Sequence, residues 1–226
     1  MLTPTAKKRV AILISGRGSN MVSLIEAARA PDYPAQIVLV VSNRPEAAGL
    51  ERARAAGIPT LAIDHKQFAT RMAFEAKLHQ ALLDARIDLV CNAGFMRMLT
   101  GGFVDRWRDR QLNIHPSLLP SFPGLDTHER ALGEGVKVHG CTVHFVRLEM
   151  DTGPIVAQAA VPVLPGDTPD SLGARVLEAE HRLYPHALRL VASGAARVVN
   201  ETIEMVVPSV VPKTLFSPAL YSVPET

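Results

Sequence analysis

Four short apolar runs, the first three each followed by a pattern typical of a helix, constrain this chain more than any other feature. The runs lie at residues 10–14, 37–41, 60–63 and 88–93. Near-continuous apolar strands joined by helical crossovers are typical of a parallel sheet that is covered on both faces. We therefore predict an α/β fold, with a Rossmann-like, mostly parallel twisted sheet and helices on both of its faces.

The intervening segments predict the crossover helices. Helical patterns occupy residues 21–30 and 46–56, and Gly57 is a plausible left-handed stop for the second of them. Phe74, Leu78 and Leu82 then recur every four residues, as one apolar face of a helix requires.

The pattern changes near residue 110. A strand over 112–115 runs into the proline-rich loop 116–124, whose three prolines exclude both a helix interior and a central strand. After the loop we predict a short helix, two antiparallel strands and a long helix, at 127–132, 141–146, 155–161 and 167–191. Thr168-Pro169-Asp170 is the start signal of the long helix.

These elements predict one domain over residues 1–226, without repeats or linkers. We divide it into a phosphate-binding half (1–110), a catalytic and folate half (111–198), and an end of short strands and a loose tail (199–226). No apolar run is long enough for a membrane-spanning helix or a signal peptide, which predicts a cytoplasmic protein.

Composition excludes several classes of function. The formal net charge is only +2, from 24 basic and 22 acidic residues, and aromatic residues make up 5% of the chain. We therefore expect no bulk attraction to nucleic acid or to an anionic membrane. The two cysteines, Cys91 and Cys141, suffice for neither a disulfide framework nor a four-thiolate zinc site.

A glycine-rich turn, residues 16–20, connects the first strand to the first helix. Glycines there let the backbone approach an anion, and the helix N-terminus supplies free N–H groups. Ser19 or Asn20 could also cap the helix. A dinucleotide site would need glycine in place of Met21 and an acidic residue near Asn43, so we favour a phosphate monoester, with a plain tight turn as the alternative.

Asn113 and His115 lie two residues apart at a predicted strand end, and therefore on the same face. An amide donor beside an imidazole can polarise a carbonyl and move a proton. Asp151 lies in a turn between two strands, and near His115 it would hold the imidazole protonated. Purely structural roles for all three side chains stay open at this point.

His139 and His144 flank Cys141, and a five-residue spacing on a strand directs them to opposite faces. That spacing argues against a shared metal site. The hypothesis of a thiol nucleophile at Cys141 is equally weak, because the sequence shows no separate pair of residues that would orient the thiol.

Seven segments together resemble the folate-dependent phosphoribosylglycinamide formyltransferases (glycinamide ribonucleotide transformylases) of purine synthesis. They lie, in the family's order, at 13–20, 41–44, 49–53, 93–97, 112–124, 139–146 and 151–154. The resemblance runs from about residue 9 to residue 195. It implies the formyltransferase fold and transfer of a formyl group from 10-formyltetrahydrofolate to the amine of glycinamide ribonucleotide.

The same resemblance implies the catalytic roles. The amine would attack the formyl carbon directly, and Asn113 and protonated His115 would stabilise the resulting oxyanion. His115 would be the general acid, while Asp151 would keep it protonated and help relay protons through water. No metal would be required.

The resemblance also implies the binding residues and the partners. The ribonucleotide would contact residues on two segments, namely Gly18, Ser19 and Asn20 with Leu177, Glu178, Ala179 and Glu180. Folate would contact Arg71 through its glutamate tail, and otherwise Met96, Arg97, Met98, Leu99, Asn113, Arg147, Leu148, Glu149, Met150 and Asp151. Leu177 is apolar where relatives often have a polar side chain, so its contribution to phosphate binding is open. The partners would be these small molecules, with no nucleic acid or membrane, and the chain would be a monomer or homodimer.

Three other functions have to be weighed. Formyltetrahydrofolate deformylases use water as the acceptor and carry an extra N-terminal domain. Methionyl-tRNA formyltransferases add an RNA-binding domain and do not have the glycine-rich turn. A non-catalytic phosphosugar- or folate-binding regulator could share the fold. The glycine-rich turn together with Asn113, His115 and Asp151 favours the transferase.

Overall fold

The computed structural model describes residues 6–206 and Ser217. Its strands are β1 (Lys8–Ile14), β2 (Ala35–Ser42), β3 (Thr60–Ala62), β4 (Leu89–Asn92), β5 (Gln111–His115), β6 (Val138–Phe145), β7 (Ile155–Pro162), β8 (Ala196–Val199) and β9 (Thr202–Met205). Its α-helices are α1 (Ser19–Ala28), α2 (Ala48–Ala55), α3 (Arg71–Asp84), α4 (Gly101–Arg106), α5 (Thr127–Gly133) and α6 (Pro169–Ala192), and His65–Gln67 form a turn of 3₁₀-helix.

Seven strands form one sheet in the order β3-β2-β1-β4-β5-β6-β7. The first five in this order are parallel, whereas β6 and β7 pair antiparallel to their neighbours. The predicted α/β fold is therefore confirmed. The sheet is continuous across residue 110, where Asn92 on β4 pairs with Asn113 on β5.

Alternating side chains of β1 divide the apolar interior into two clusters. Val10, Ile12 and Ile14 belong to the cluster that includes α1 and α6. Ala11 and Leu13 belong to the cluster on the other face, which includes α3 and α4. Burial on both faces explains why β1 is apolar at consecutive positions from 10 to 14 rather than at every second one.

Helix α4 was not predicted from the sequence. It begins with Gly101 and Gly102, which are poor helix formers, and it is only six residues long. Phe103 and Val104 are nevertheless buried, and Trp107 directly after the helix is 1% exposed. Tertiary packing therefore determines this helix, and local propensity does not.

The last elements among the described residues form a two-stranded hairpin, β8–β9, whose first strand begins at Ala196, within the predicted 111–198 half. The predicted loose tail, apart from Ser217, lies outside the described residues. Within the described part of the chain, no helix combines the length and apolar character needed to cross a membrane.

Candidate active site

Three polar side chains meet where β5 ends. Asn113 and His115 lie on β5, and Asp151 lies in the turn between β6 and β7. The His115 Nδ1 atom is 3.4 Å from Asp151 Oδ2, and each of these side chains is 8% exposed. The structure thus brings together the three residues for which the sequence predicted catalytic roles.

The β6–β7 turn places Asp151 by folding tightly against β6. Asp151 has a left-handed backbone, with φ of 59°. A Cβ atom on Gly153 would collide with the carbonyl oxygen of Phe145, so only glycine permits this close approach. The turn therefore directs the carboxylate back toward the strand that carries His115.

The proline-rich loop holds both members of the His115–Asp151 pair. The His115 Nε2 atom lies 3.0 Å from the carbonyl oxygen of Phe122. The Gly124 N–H donates to Asp151 Oδ2 at 2.9 Å. A protonated His115 consequently has an acceptor at each ring nitrogen, the Phe122 carbonyl at one and Asp151 at the other.

Side chains from β6 and β7 keep the loop in place. Thr142 Oγ1 accepts from the Leu119 N–H at 3.0 Å and donates to the Ser117 carbonyl at 2.7 Å. Gln158 Nε2 donates to the Leu119 carbonyl at 2.9 Å. The loop is therefore anchored to the antiparallel strands, an arrangement that the sequence did not predict.

His144 is a site residue to which the sequence analysis gave no role. It pairs with Asn113 across β5 and β6, and Asn113 Nδ2 lies 3.2 Å from His144 Nε2. His144 Nδ1 lies 3.0 Å from the Phe145 carbonyl, which assigns the proton to Nδ1 and leaves Nε2 to accept from the amide. Burial lowers the pKa of His144, although the nearby Asp151 carboxylate opposes this effect. A neutral His144 thus orients the Asn113 amide.

Cys141 and His139 are not part of this arrangement. Burial raises the pKa of the Cys141 thiol to about 12, so a thiolate is disfavoured. Among the residues that the structure describes, neither ring nitrogen of His139 has a hydrogen-bond partner. Within residues 6–206 and Ser217, no group of three or more His, Cys, Asp or Glu residues could hold a metal ion.

The glycine-rich turn forms a small cavity of about 170 Å³, lined by residues 16–20 with Ala93 and Gly94. Gly18 is the N-cap of α1 and has a left-handed φ of 69° without a side-chain cap. The prediction that Ser19 or Asn20 caps the helix is therefore wrong, because both residues lie within its first turn. The helix N-terminus faces an anion-sized cavity without competition from a capping side chain.

Glu180 on α6 contacts the first turn of α1. Asn20 Nδ2 donates to Glu180 Oε2 at 2.7 Å, and both residues are buried. Of the other residues predicted with Glu180, Glu178 is exposed, whereas Leu177 and Ala179 are half-buried. Burial raises the pKa of Glu180 to about 7, while the Asn20 amide opposes the increase.

We expect Glu180→Gln to remove a pH dependence of stability. The native state favours protonated Glu180, so it binds more protons than the unfolded chain between about pH 4.5 and 7. The free energy of unfolding therefore falls as the pH rises through this interval, by on the order of 3 kcal/mol.

Urea unfolding between pH 4.5 and 8 should show the Glu180→Gln variant matching the wild type at the acidic end and exceeding it above pH 7. Glu178→Gln, at an exposed position of the same helix, is the matched control. Parallel curves for wild type and the Glu180→Gln variant would contradict the assigned titration.

The residues predicted to line the folate pocket include several exposed apolar side chains. Met96, Met98, Leu148 and Met150 are between 50% and 62% exposed. Leu99 is buried and Arg97 is half-buried, while Glu149 is exposed. Arg71 is the exposed first residue of α3.

Arg147 differs from this group, because its guanidinium is already paired. It lies 2.6 Å from Asp109 and 2.7 Å from Glu201 of the β8–β9 turn. Burial acts to lower the pKa of Arg147, but these two carboxylates outweigh it and raise the pKa. The charge of Arg147 is thus already paired with carboxylates of the protein. Its backbone and the aliphatic part of its side chain are left to contact a ligand.

The sequence profile described as formyl transferase matches residues 8–188, which is most of the chain. The chain belongs to the formyl transferase family. Phosphoribosylglycinamide formyltransferase of Escherichia coli (strain K12) is 43% identical over 189 residues, which cover 84% of this chain and 89% of that protein.

Two further relatives support this membership of the formyl transferase family. Trifunctional purine biosynthetic protein adenosine-3 of Bos taurus is 53% identical over 192 residues, 85% of this chain but only 19% of that protein. The chain thus spans about a fifth of that relative's length. The crystal structure of phosphoribosylglycinamide formyltransferase from Brucella melitensis has a TM-score of 0.80 and 56% identity, covering 83% of this chain and 97% of that one.

Proposed function

We propose that this chain transfers a formyl group from 10-formyltetrahydrofolate to the amine of N1-(5-phospho-D-ribosyl)glycinamide. The products are formylglycinamide ribonucleotide and tetrahydrofolate, an exchange that belongs to de novo purine synthesis. One observation carries the proposal: an anion-sized cavity at a helix N-terminus and the group of Asn113, His115 and Asp151 lie on strands of one sheet, at the same edge. The names of the relatives agree with this activity.

The reaction joins the amine nitrogen to the formyl carbon and breaks the bond between that carbon and N10 of the folate. The amine loses a proton and N10 gains one, so the reaction needs no oxidant or reductant. Between these events the formyl oxygen carries a negative charge. The protein's task is therefore to stabilise an oxyanion and to move a proton over a short distance.

Asn113 and His115 supply the oxyanion donors. His144 holds one N–H of the Asn113 amide, which leaves the second N–H to point at the formyl oxygen. In this structure the Phe122 carbonyl accepts from His115 Nε2, and the formyl oxygen has to replace it as the acceptor. Each such donor typically contributes about 2.7–4 kcal/mol to transition-state stabilisation.

Asp151 supports the imidazolium and connects the proton path to water. Its Oδ2 faces His115 Nδ1, so the carboxylate stabilises the charged ring electrostatically. The remaining acceptor capacity of the carboxylate can hold a water that passes the proton from the amine toward N10. Such acid–base assistance typically accelerates a reaction by about a hundredfold to ten thousandfold.

The phosphate of the ribonucleotide binds in the cavity formed by Gly18, Ser19 and Asn20, where backbone N–H groups of α1 are directed toward it. Glu180, next to Asn20, accepts from hydroxyl groups of the sugar. Leu177, Glu178 and Ala179 complete the same side of the site. Anchoring the sugar phosphate sets the distance from the amine to the formyl carbon.

The folate binds between two segments, 96–99 and 147–151. The exposed methionines at 96, 98 and 150 provide adaptable apolar contacts for its ring. Arg71 binds the glutamate tail, because a guanidinium matches a carboxylate in geometry and charge. Holding both substrates in line is worth up to roughly 7–11 kcal/mol of the barrier.

We further propose a cytoplasmic location and a monomer or homodimer that binds neither nucleic acid nor membrane. Cys91 and Cys141 are both unpaired and buried, as is usual for a reducing compartment. The small net charge of +2 agrees with small-molecule substrates.

The decisive experiment mixes the purified chain with 10-formyltetrahydrofolate, with and without glycinamide ribonucleotide. We expect tetrahydrofolate and formylated ribonucleotide to form in equal amounts, and only when the acceptor is present. Folate turnover that ignores the acceptor would indicate a deformylase instead. Binding of both molecules without turnover would indicate a regulator.

A further inference from the structure

The segment 94–100 connects β4 to α4 and contains no helix or strand. Four of its residues, 96–99, are those for which we propose folate contacts. A segment without a regular hydrogen-bond ladder keeps one shape only where other groups bind its backbone. Two buried side chains, from elements distant in sequence, do so here.

Ser15, at the end of β1, holds the beginning of the segment. Its Oγ accepts from the Met96 N–H at 2.8 Å and donates to Asn43 Oδ1 at 2.5 Å. The Ser15 N–H also donates to the Gly94 carbonyl at 3.1 Å. Ser15 is 4% exposed, so water cannot readily replace its hydroxyl.

Glu75, on α3, holds the end of the segment. Its carboxylate accepts from the Thr100 N–H at 2.8 Å and from the Thr100 hydroxyl. Glu75 is 4% exposed, although it lies on a helix whose other face meets solvent. A buried carboxylate is costly unless hydrogen bonds satisfy it, and both of these bonds go to a single residue of the segment.

Ser15 also lies directly before the glycine-rich turn. The carbonyl of the next residue, Gly16, accepts from the Gly49 N–H at 3.0 Å and so fixes the turn against α2. Ser15 is therefore covalently joined to the turn and bonded to the 94–100 segment, whose first residue, Gly94, also lines the cavity proposed for the phosphate. Glu75 contacts only the second of these.

We propose that Ser15 and Glu75 are positioning residues for substrate binding. Ser15 aligns the 94–100 segment with the glycine-rich turn and thereby affects both substrates, whereas Glu75 fixes only the folate end. The inference rests on the proposed function, because it assigns the substrates to these two loops. Neither side chain touches the reacting atoms.

The test compares variants that separate positioning from general stability. Ser15→Ala removes the hydroxyl that binds Met96. Ser42→Ala is its matched control, because Ser42 is fully buried at the end of the neighbouring strand and makes two bonds to Arg44 instead. Glu75→Ala removes both bonds to Thr100, whereas Glu75→Gln keeps an acceptor for the N–H.

We expect Ser15→Ala to raise KM for both substrates by about tenfold, which corresponds to one buried hydrogen bond. Glu75→Ala should raise only the KM for 10-formyltetrahydrofolate, and Glu75→Gln should restore most of the loss. We expect kcat to change by less than about threefold in each variant. Ser42→Ala should lower the melting temperature similarly to Ser15→Ala without changing either KM.

Two results would overturn the inference in distinguishable ways. If the wild type transfers the formyl group but Ser15→Ala and Ser42→Ala have the same KM values, the positioning role is wrong and the proposed function stands. If the wild type neither transfers the formyl group nor binds tetrahydrofolate in calorimetry, both the inference and the proposed function are wrong.

Discussion

His115→Ala should lower kcat by about a thousandfold or more while the protein stays folded. The substitution removes an oxyanion donor and the general acid at once, and each of these normally contributes at least a hundredfold. The imidazole also lies between the Phe122 carbonyl and Asp151, so its loss leaves the carboxylate with the Gly124 N–H as a hydrogen-bond donor and with His144 3.7 Å away. KM values for both substrates should change little, because the reacting group contributes mainly in the transition state.

Steady-state kinetics with both substrates checks this expectation, and circular dichroism checks the fold. His186→Ala is the matched control, since His186 is an exposed histidine on α6. A His115 variant that keeps more than a tenth of wild-type kcat would contradict the assigned role.

Asp151→Asn should lower kcat by about a hundredfold to a thousandfold while the protein stays folded. The amide has the same shape and can still accept from the Gly124 N–H, so the β6–β7 turn should persist. What disappears is the negative charge 3.4 Å from His115 Nδ1. Without it, no carboxylate stabilises the positive charge that His115 carries in the proposed transition state.

Steady-state kinetics with both substrates measures this effect, and circular dichroism checks that the variant is folded. Asp84→Asn, at an exposed position near the end of α3, controls for the loss of one acidic group. A wild-type kcat in the Asp151→Asn variant would remove Asp151 from the mechanism.

The sheet and its crossover helices could be predicted because a buried strand requires a run of apolar residues, which is visible in the sequence. A strand covered on both faces needs consecutive apolar residues, and β1, β2 and β4 contain such runs at 10–14, 37–41 and 89–91. The carboxyl ends of parallel strands share one edge, which places the glycine-rich turn and the Asn113–His115 pair at the same edge of the sheet.

The missed features depend on contacts between distant parts of the chain. His144 orients Asn113 only because β5 and β6 pair in one particular register, and no local pattern specifies that register. Arg147 is positively charged in any fold, but only folding brings Asp109 and Glu201 close enough to pair with its guanidinium. This pairing argues against a role for its charge in ligand binding. Likewise, nothing in the sequence indicates a role for Ser15 or Glu75, because their bonds to the 94–100 segment form only in the folded protein.

The amino-acid sequence alone predicted the class of fold from residue type and spacing, and its resemblance to the formyltransferases predicted the roles proposed for the glycine-rich turn, Asn113 and His115. Only the tertiary structure decided that Asp151 faces His115, that a neutral His144 holds the Asn113 amide, and that two buried side chains clamp the 94–100 segment. The physical reason is that hydrogen bonds and electrostatic effects act over a few ångströms, and folding alone brings residues separated by dozens of positions within that distance.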